Sequence, residues 1–204
     1  MVRTPGLSRN KLLSAAIDVF RRKGYAATTV DDICAEAGVT KGSFFHHFKT
    51  KEDLTLQLVE HWNTWTAEIF RSAPYQQLDD PLARVLGYVD FRIAILGGEI
   101  AAYTCLLGTL VQEVHATHPD VRAACEAGLN GHIEELLLPD IEAARARHAP
   151  NAEWSAASVG YFIQSVLQGS FIFVKACQGP DVARENLAHL RRYLTSLFAP
   201  APHP

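Results

Sequence analysis

The sequence predicts an all-α protein: an N-terminal three-helix domain containing a helix-turn-helix, then a larger helical domain, with about nine helices in all. Three observations lead there. Apolar residues recur three and four apart through most of the 204 residues, the spacing of one helix face. No stretch shows the alternation of a half-buried strand, and no internal repeat is visible. Helix punctuation is frequent: Gly24, Gly38, Gly97-Gly98 and Gly179-Pro180 each close an apolar-periodic run.

Taken in order, residues 1–7 carry Pro5 and Gly6 and read as a frayed arm. Ser8 is placed to cap a helix over 8–23, whose Leu13, Ala16, Ile17 and Phe20 form one apolar face. Arg21, Arg22 and Lys23 suit its C-terminal dipole, and Gly24 ends it. Thr28 or Thr29 caps the second helix, with Asp31 and Asp32 in its first turn. Ile33 and Ala37 share one face of it, Gly38 supplies a left-handed residue, and Val39 fills the angle to the next helix. Thr40 then caps a short helix opened by Lys41, Gly42 and Ser43 and anchored by Phe44 and Phe48. Two short helices joined by a tight turn form a helix-turn-helix, whose second helix enters the DNA major groove N-terminus first.

Thr50 begins a long helix to about residue 71, running through Leu54, Leu58, Trp62, Trp65 and Ile69. Residues 72–77, with Pro74, are a break. Asp79 and Asp80 cap a helix opened by Pro81 and running to about 96. A helix over 100–116 follows, then a long one over 119–148 bent at Pro139. After a linker at 149–151 comes a strongly apolar helix over 152–176, and the last helix covers 181–198 before a Pro-rich end expected to be disordered. The domain expectation is a helix-turn-helix domain over 1–50 and a larger helical domain over 51–204, to which the resemblance described below assigns ligand binding and dimerisation.

Composition narrows the function classes. Apolar residues make up 48% of the chain, enough for a sizeable core. There is no run of about eighteen apolar residues and no apolar signal region near the N-terminus, so the expectation is a cytoplasmic protein with no membrane partner. Cys34, Cys105, Cys125 and Cys177 lie far apart without metal-ligand spacing and read as reduced thiols, so neither a metal nor a cofactor is expected. No nucleophile triad or phosphate loop is present, and no enzyme is expected. The net charge of −3 is unevenly divided: residues 1–60 hold nine Lys/Arg against seven Asp/Glu, and the remainder ten against fifteen. The first part alone has the sign that favours a polyanion.

Residues 28–54, TTVDDICAEAGVTKGSFFHHFKTKEDL, resemble the DNA-binding domain of TetR-family transcriptional regulators. The resemblance implies a homodimeric repressor on a palindromic operator in double-stranded DNA, released by an unknown small-molecule effector held in the C-terminal domain. Two positions depart from the family pattern. Cys34 stands where Ala is usual, and Phe45 stands where Tyr is common, which removes a phenolic hydroxyl. On this reading Thr28 and Thr29 offer hydroxyls and helix-start N–H groups to a phosphate. Thr40, Lys41, Gly42 and Ser43 form the tip of the recognition helix, and Lys41 reaches a phosphate or a guanine edge. Phe45 packs on a sugar or a thymine methyl, and His46 and His47 divide between groove and backbone. Lys51, at the next helix start, clamps a phosphate. The plainer alternatives are ordinary caps and solvated lysines. Adjacent histidines point apart on a helix and make a poor metal site.

The last two helices carry Phe162, Ile163, Val166, Leu167, Phe171 and Val174, then Leu187, Leu190, Leu194 and Leu197, more apolar surface than one chain needs. The expectation is a homodimer through an intermolecular four-helix bundle, set against burial of all these faces within one chain. The pocket candidates are Trp62, Trp65, Phe91, Tyr103, Phe162 and Phe171, although aromatics at helical spacing are more often plain core. Gln164, Gln168 and Lys175 add polar groups on an apolar helix. Cys105 lies near a helix N-terminus, where a thiolate is stabilised, and Lys175, if close, would add to that. The alternative function is therefore a sensor of electrophiles or oxidants using Cys105 in the same repressor scaffold, set against a thiol that behaves as a small hydrophobe.

Overall fold

The computed structural model describes residues 7–199 and contains no strand among them. The helices are α1 (Leu7–Lys23), α2 (Val30–Ala37), α3 (Lys41–His47), α4 (Lys51–Arg71), α5 (Pro81–Ala94), α6 (Ile100–Tyr103), α7 (Leu106–Val114), α8 (Pro119–Leu136), α9 (Leu138–His148), α10 (Ala156–Cys177) and α11 (Asp181–Leu197), with a single 3-10 turn at Pro74–Gln77. The Pro5-Gly6 arm and the residues from 200 onward lie outside the described residues.

Two of the nine expected helices are divided, which accounts for the difference. The helix expected over 100–116 breaks before α7, because Cys105 is extended and acts as its N-cap, with Sγ accepting from the Gly108 N–H at 3.4 Å. The long helix over 119–148 breaks at Leu137, and Pro139, which has no N–H to give, falls in the first turn of α9. Ser8 is not a cap. It sits inside α1, and its hydroxyl bonds Nε2 of His47 at 2.6 Å. At the end of α10 the left-handed residue is Gln178 (φ 54°) rather than a glycine.

The chain divides into two compact units. The first takes in the residues up to Thr66 together with Thr104–Leu129, and the second holds Ala67–Tyr103 and the residues from Asn130 onward. In the first unit, Leu12, Leu13, Ala16 and Phe20 of α1 meet Ile33 of α2, Phe44 of α3, Phe48, and Leu54 and Leu58 of α4. Leu106 and Leu110 of α7 and Val121 and Cys125 of α8 join the same core. Burying a large apolar side chain contributes about 1.5–3 kcal/mol. The two phenylalanines flanking the end of α3 are therefore what fixes so short a helix, which would not persist alone.

In the second unit α5 packs on α9 and α11, and α10 packs on α9 and α11. α10 is long and apolar enough by composition to span a membrane, and 44% of its most apolar window is buried inside the protein. Val159, Ile163, Leu167, Phe171 and Val174 form its buried face, while Tyr161, Phe162, Ile172 and Phe173 are exposed.

Candidate nucleic-acid interface

The start of α2 is held by a reciprocal pair. The Thr29 hydroxyl accepts from the Asp32 N–H at 3.1 Å, and the Asp32 carboxylate accepts from the Thr29 N–H at 2.9 Å. Lys23 also donates to Asp32 at 2.7 Å, and these bonds, the one from Lys23 first, hold that carboxyl well below the usual range. Thr29 is exposed. Thr28 is buried, and its hydroxyl donates to Gly24 O at 2.6 Å, so the phosphate role expected of it is corrected: it faces the interior.

Gly38 takes the left-handed conformation (φ 63°), which turns the chain into α3. The Thr40 hydroxyl accepts from the Ser43 N–H at 3.2 Å. Thr40, Lys41, Gly42, Phe45 and His46 are exposed, and Ser43 is half-buried. Lys41 pairs with Asp31 at 3.0 Å across the turn. The Phe45 ring stands edge-on to the buried Phe44 at 5.2 Å, with its far side in solvent. The two histidines do not point apart as expected, because their rings meet edge-on at 4.9 Å, but they differ in burial: His46 is exposed, whereas His47 is half-buried and bonded to Ser8. Burial lowers the His47 pKa, with smaller contributions from His46 and Arg9. No group of three potential metal ligands exists among the described residues.

Lys51 departs from expectation. Its ammonium turns inward, donates to Tyr25 O at 2.8 Å and Thr28 O at 2.9 Å, and lies 4.1 Å from the centre of the Tyr25 ring. Burial lowers its pKa, and the charge of Glu113 opposes that. Two converging carbonyls and a π face draw this cation into the turn, so it is a clip on the turn before α2 and not an outward phosphate clamp. Its counterpart is Glu113 near the end of α7, which sequence reasoning missed. The Glu113 carboxylate accepts from the Tyr25 N–H at 3.1 Å and the Ala26 N–H at 2.8 Å. At Gly24 (φ 84°) a Cβ would lie 2.3 Å from Glu113 Oε1, so glycine is required for both backbone and contact.

The expected pocket residues fall in both units. Trp62 is buried and Trp65 is 42% exposed, their rings 5.3 Å apart. Arg21, 7% exposed, lies over Trp62 at 4.9 Å, donates to Thr104 O at 3.3 Å and pairs with Asp18 at 3.2 Å. Cys105 is half-buried against the first core, with its sulfur engaged as the α7 cap. Burial pushes the neighbouring Cys125 thiol up to about 12. In the second unit Tyr103 and Phe171 are buried, and Phe91, Gln168 and Lys175 are half-buried. Phe162 is not an interior wall: it stands on the exposed face of α10, stacked on Tyr193 at 5.0 Å.

The second unit instead gathers a polar cluster. The Tyr88 hydroxyl lies 2.9 Å from His132 Nε2, 3.0 Å from Gln164 Nε2 and 3.1 Å from Arg92 Nε. Burial, with a smaller effect of Arg92, pushes the His132 pKa down to about 3. The one sequence signal for this cluster was Gln164 on an otherwise apolar helix.

A family model described as "Bacterial regulatory proteins, tetR family" matches residues 12–58. The transcriptional regulator AcuR of Cereibacter sphaeroides is 34% identical over 118 residues, 58% of this chain and 54% of that protein, so the chain spans about half the length of this relative. The transcriptional repressor KstR2 of Mycolicibacterium smegmatis is 37% identical over 87 residues, 41% of this chain and 40% of that protein. Among solved structures, a regulatory protein TetR from Rhodobacter sphaeroides superposes with a TM-score of 0.79 at 26% identity, covering 92% of this chain and 99% of that one. The family match makes residues 12–58 a tetR-family helix-turn-helix region, and the chain as a whole is similar in its all-helical fold to a TetR regulatory protein.

Proposed function

We propose that the chain acts as a homodimeric repressor, reading a palindromic operator with α3 and leaving it when a small-molecule effector binds. The observation that carries this reading is the two-sidedness of α3. Phe44 and Phe48 fix it to the core, while Thr40, Lys41, Gly42, Phe45 and His46 stand in solvent at its tip and along its outer side. A groove reader needs that combination of rigidity and access. Thr29 and Lys41 supply phosphate contacts, with Asp31 holding Lys41 in place until a phosphate competes. Phe45 supplies an apolar contact to a thymine methyl. A two-fold operator needs a two-fold reader, and the exposed Phe162, Ile172 and Phe173 of α10 with Tyr193 of α11 offer the face for it.

The test is operator selection with the purified protein, followed by gel shifts across a salt series. Lys41→Ala is expected to weaken binding and reduce the slope of log K against log salt by about 1. Phe45→Ala is expected to change base preference, and Phe173→Glu to yield a monomer that does not hold the operator. Failure to shift any selected palindromic fragment at low salt would remove the reading.

A further inference from the structure

Arg92, on α5, lies 4.4 Å from the centre of the Phe70 ring and 5.4 Å from that of Tyr88. Its Nε donates to the Tyr88 hydroxyl, which leaves the donors on Nη1 and Nη2. Among the described residues Arg92 has no ion pair. Nearby carboxylates are engaged elsewhere: Asp90 holds Arg191 at 2.7 Å, and Asp140 holds Arg84 at 2.7 Å. A half-buried guanidinium without a counter-charge is an unfinished arrangement.

A second observation points the same way. Tyr75 is 5% exposed, and its hydroxyl has no hydrogen-bond partner. A buried hydroxyl left unpaired is destabilising. Its ring packs 5.9 Å from Phe91 and 6.0 Å from Tyr88, within the same aromatic group as Arg92; Tyr88, the Gln76 side chain, Arg92 and, least, the Asp140 carboxylate all act on its hydroxyl. The rest of the cluster is already occupied. Tyr88 accepts from Arg92 and Gln164, so both lone pairs of its oxygen are used and its one hydrogen goes to His132 Nε2. What remains is a positive edge and a phenolic O–H beside aromatic faces. Such a donor set recognises a group that is negative and accepts only. The planar two-oxygen geometry of a carboxylate matches a guanidinium edge, and the rings suit a small apolar body.

We propose that Arg92 and Tyr75 bind the carboxylate of a small apolar organic acid, and that such acids are the effector class of this regulator. The second half rests on the effector reading above, while the first does not.

The test is calorimetry and thermal melting of the full chain without DNA, using benzoate and butanoate with benzamide and butanamide as neutral counterparts. The acids are expected to bind and raise the melting temperature, with each amide at least about tenfold weaker. Arg92→Gln should lose about tenfold or more in acid affinity. Tyr75→Phe should lose several-fold while melting no lower than wild type in the absence of acid, because an unpaired hydroxyl is removed. Failure of both acids to bind wild type overturns the proposal, as does wild-type affinity in both variants. Gel shifts with the same acids separate the two halves: binding that depends on Arg92 without operator release keeps the site and overturns the effector assignment.

Discussion

Arg21 and Arg92 each lie over aromatic rings, one in the first unit and one in the second, and their surroundings complete them differently. Arg21 covers Trp62, gives one hydrogen bond to Thr104 O and pairs with Asp18. Arg92 covers Phe70 and Tyr88, gives one hydrogen bond to a phenol and has no carboxylate among the described residues. The first cation ties α1 to the segment before α7 and has its countercharge. The second has the same stacking and lacks the anion. A buried charge that the fold has neutralised belongs to structure, and one left open is a place where a ligand can act.

The largest difference between the two regions should appear in acid. His132 in the second unit has a folded pKa near 3 against about 6.5 unfolded. The unfolded chain therefore takes the proton first. Its contribution is complete above about pH 6.5 and is lost as pH falls toward 3, at up to about 1.4 kcal/mol per pH unit. Asp32 in the first unit is also depressed, but its contribution is complete above an unfolded value near 3.8 and is lost only below it. Hydrogen exchange between pH 7 and 4.5 should show the second unit weakening first, and His132→Gln should flatten the dependence. An unchanged slope in that variant would dissolve the contrast.

Next in size is the pair of arginines. Arg21→Met removes the hydrogen bond to Thr104 O, the pairing with Asp18 and the contact with Trp62, and should cost about 2–3 kcal/mol by urea denaturation. Arg92→Met leaves Tyr88 still bonded to Gln164 and His132, and should stay within about 1 kcal/mol when no acid is present. Equal losses would mean that both cations are structural. Lys51→Met should cost about 2 kcal/mol, because Tyr25 O and Thr28 O lose a charged donor, and should leave the salt dependence of DNA binding unchanged, unlike Lys41→Ala. The smallest effect separates adjacent threonines. Thr28→Val and Thr29→Ala should each cost about 1 kcal/mol, but only Thr29→Ala should also weaken operator binding in gel shifts.

The sequence carried the reading helix well because everything that defines it is local. Thr40 with Ser43, Gly38, and Phe44 with Phe48 need only spacing, and the structure uses all of them. Position without direction was the limit at Thr28 and Lys51: both sit at a helix start, and only packing decides that they face inward. The break at Cys105 was hidden because a thiol is a weak capping signal. The cluster at Tyr88 joins three helices across separations of 44 and 76 residues, and no local pattern brings such residues together. Glu113, 88 residues from Tyr25, was hidden for the same reason.

The turn between α1 and α2 closes on itself through Thr28, whose N–H donates to Tyr25 O and whose hydroxyl donates to Gly24 O, and is otherwise held from outside. Its donors at Tyr25 and Ala26 are taken by Glu113, and its acceptors at Tyr25 and Thr28 by Lys51. Tolerance to mutation is thereby inverted there. Ala26 and Ala27, exposed and contributing backbone alone, should accept most residues, whereas two side chains on distant helices, with Gly24, carry the constraint that a loop usually keeps to itself. Library design that randomises the loop and spares the helices would sample the neutral positions, and one that randomises α7 would disturb the reading head without altering a residue in it.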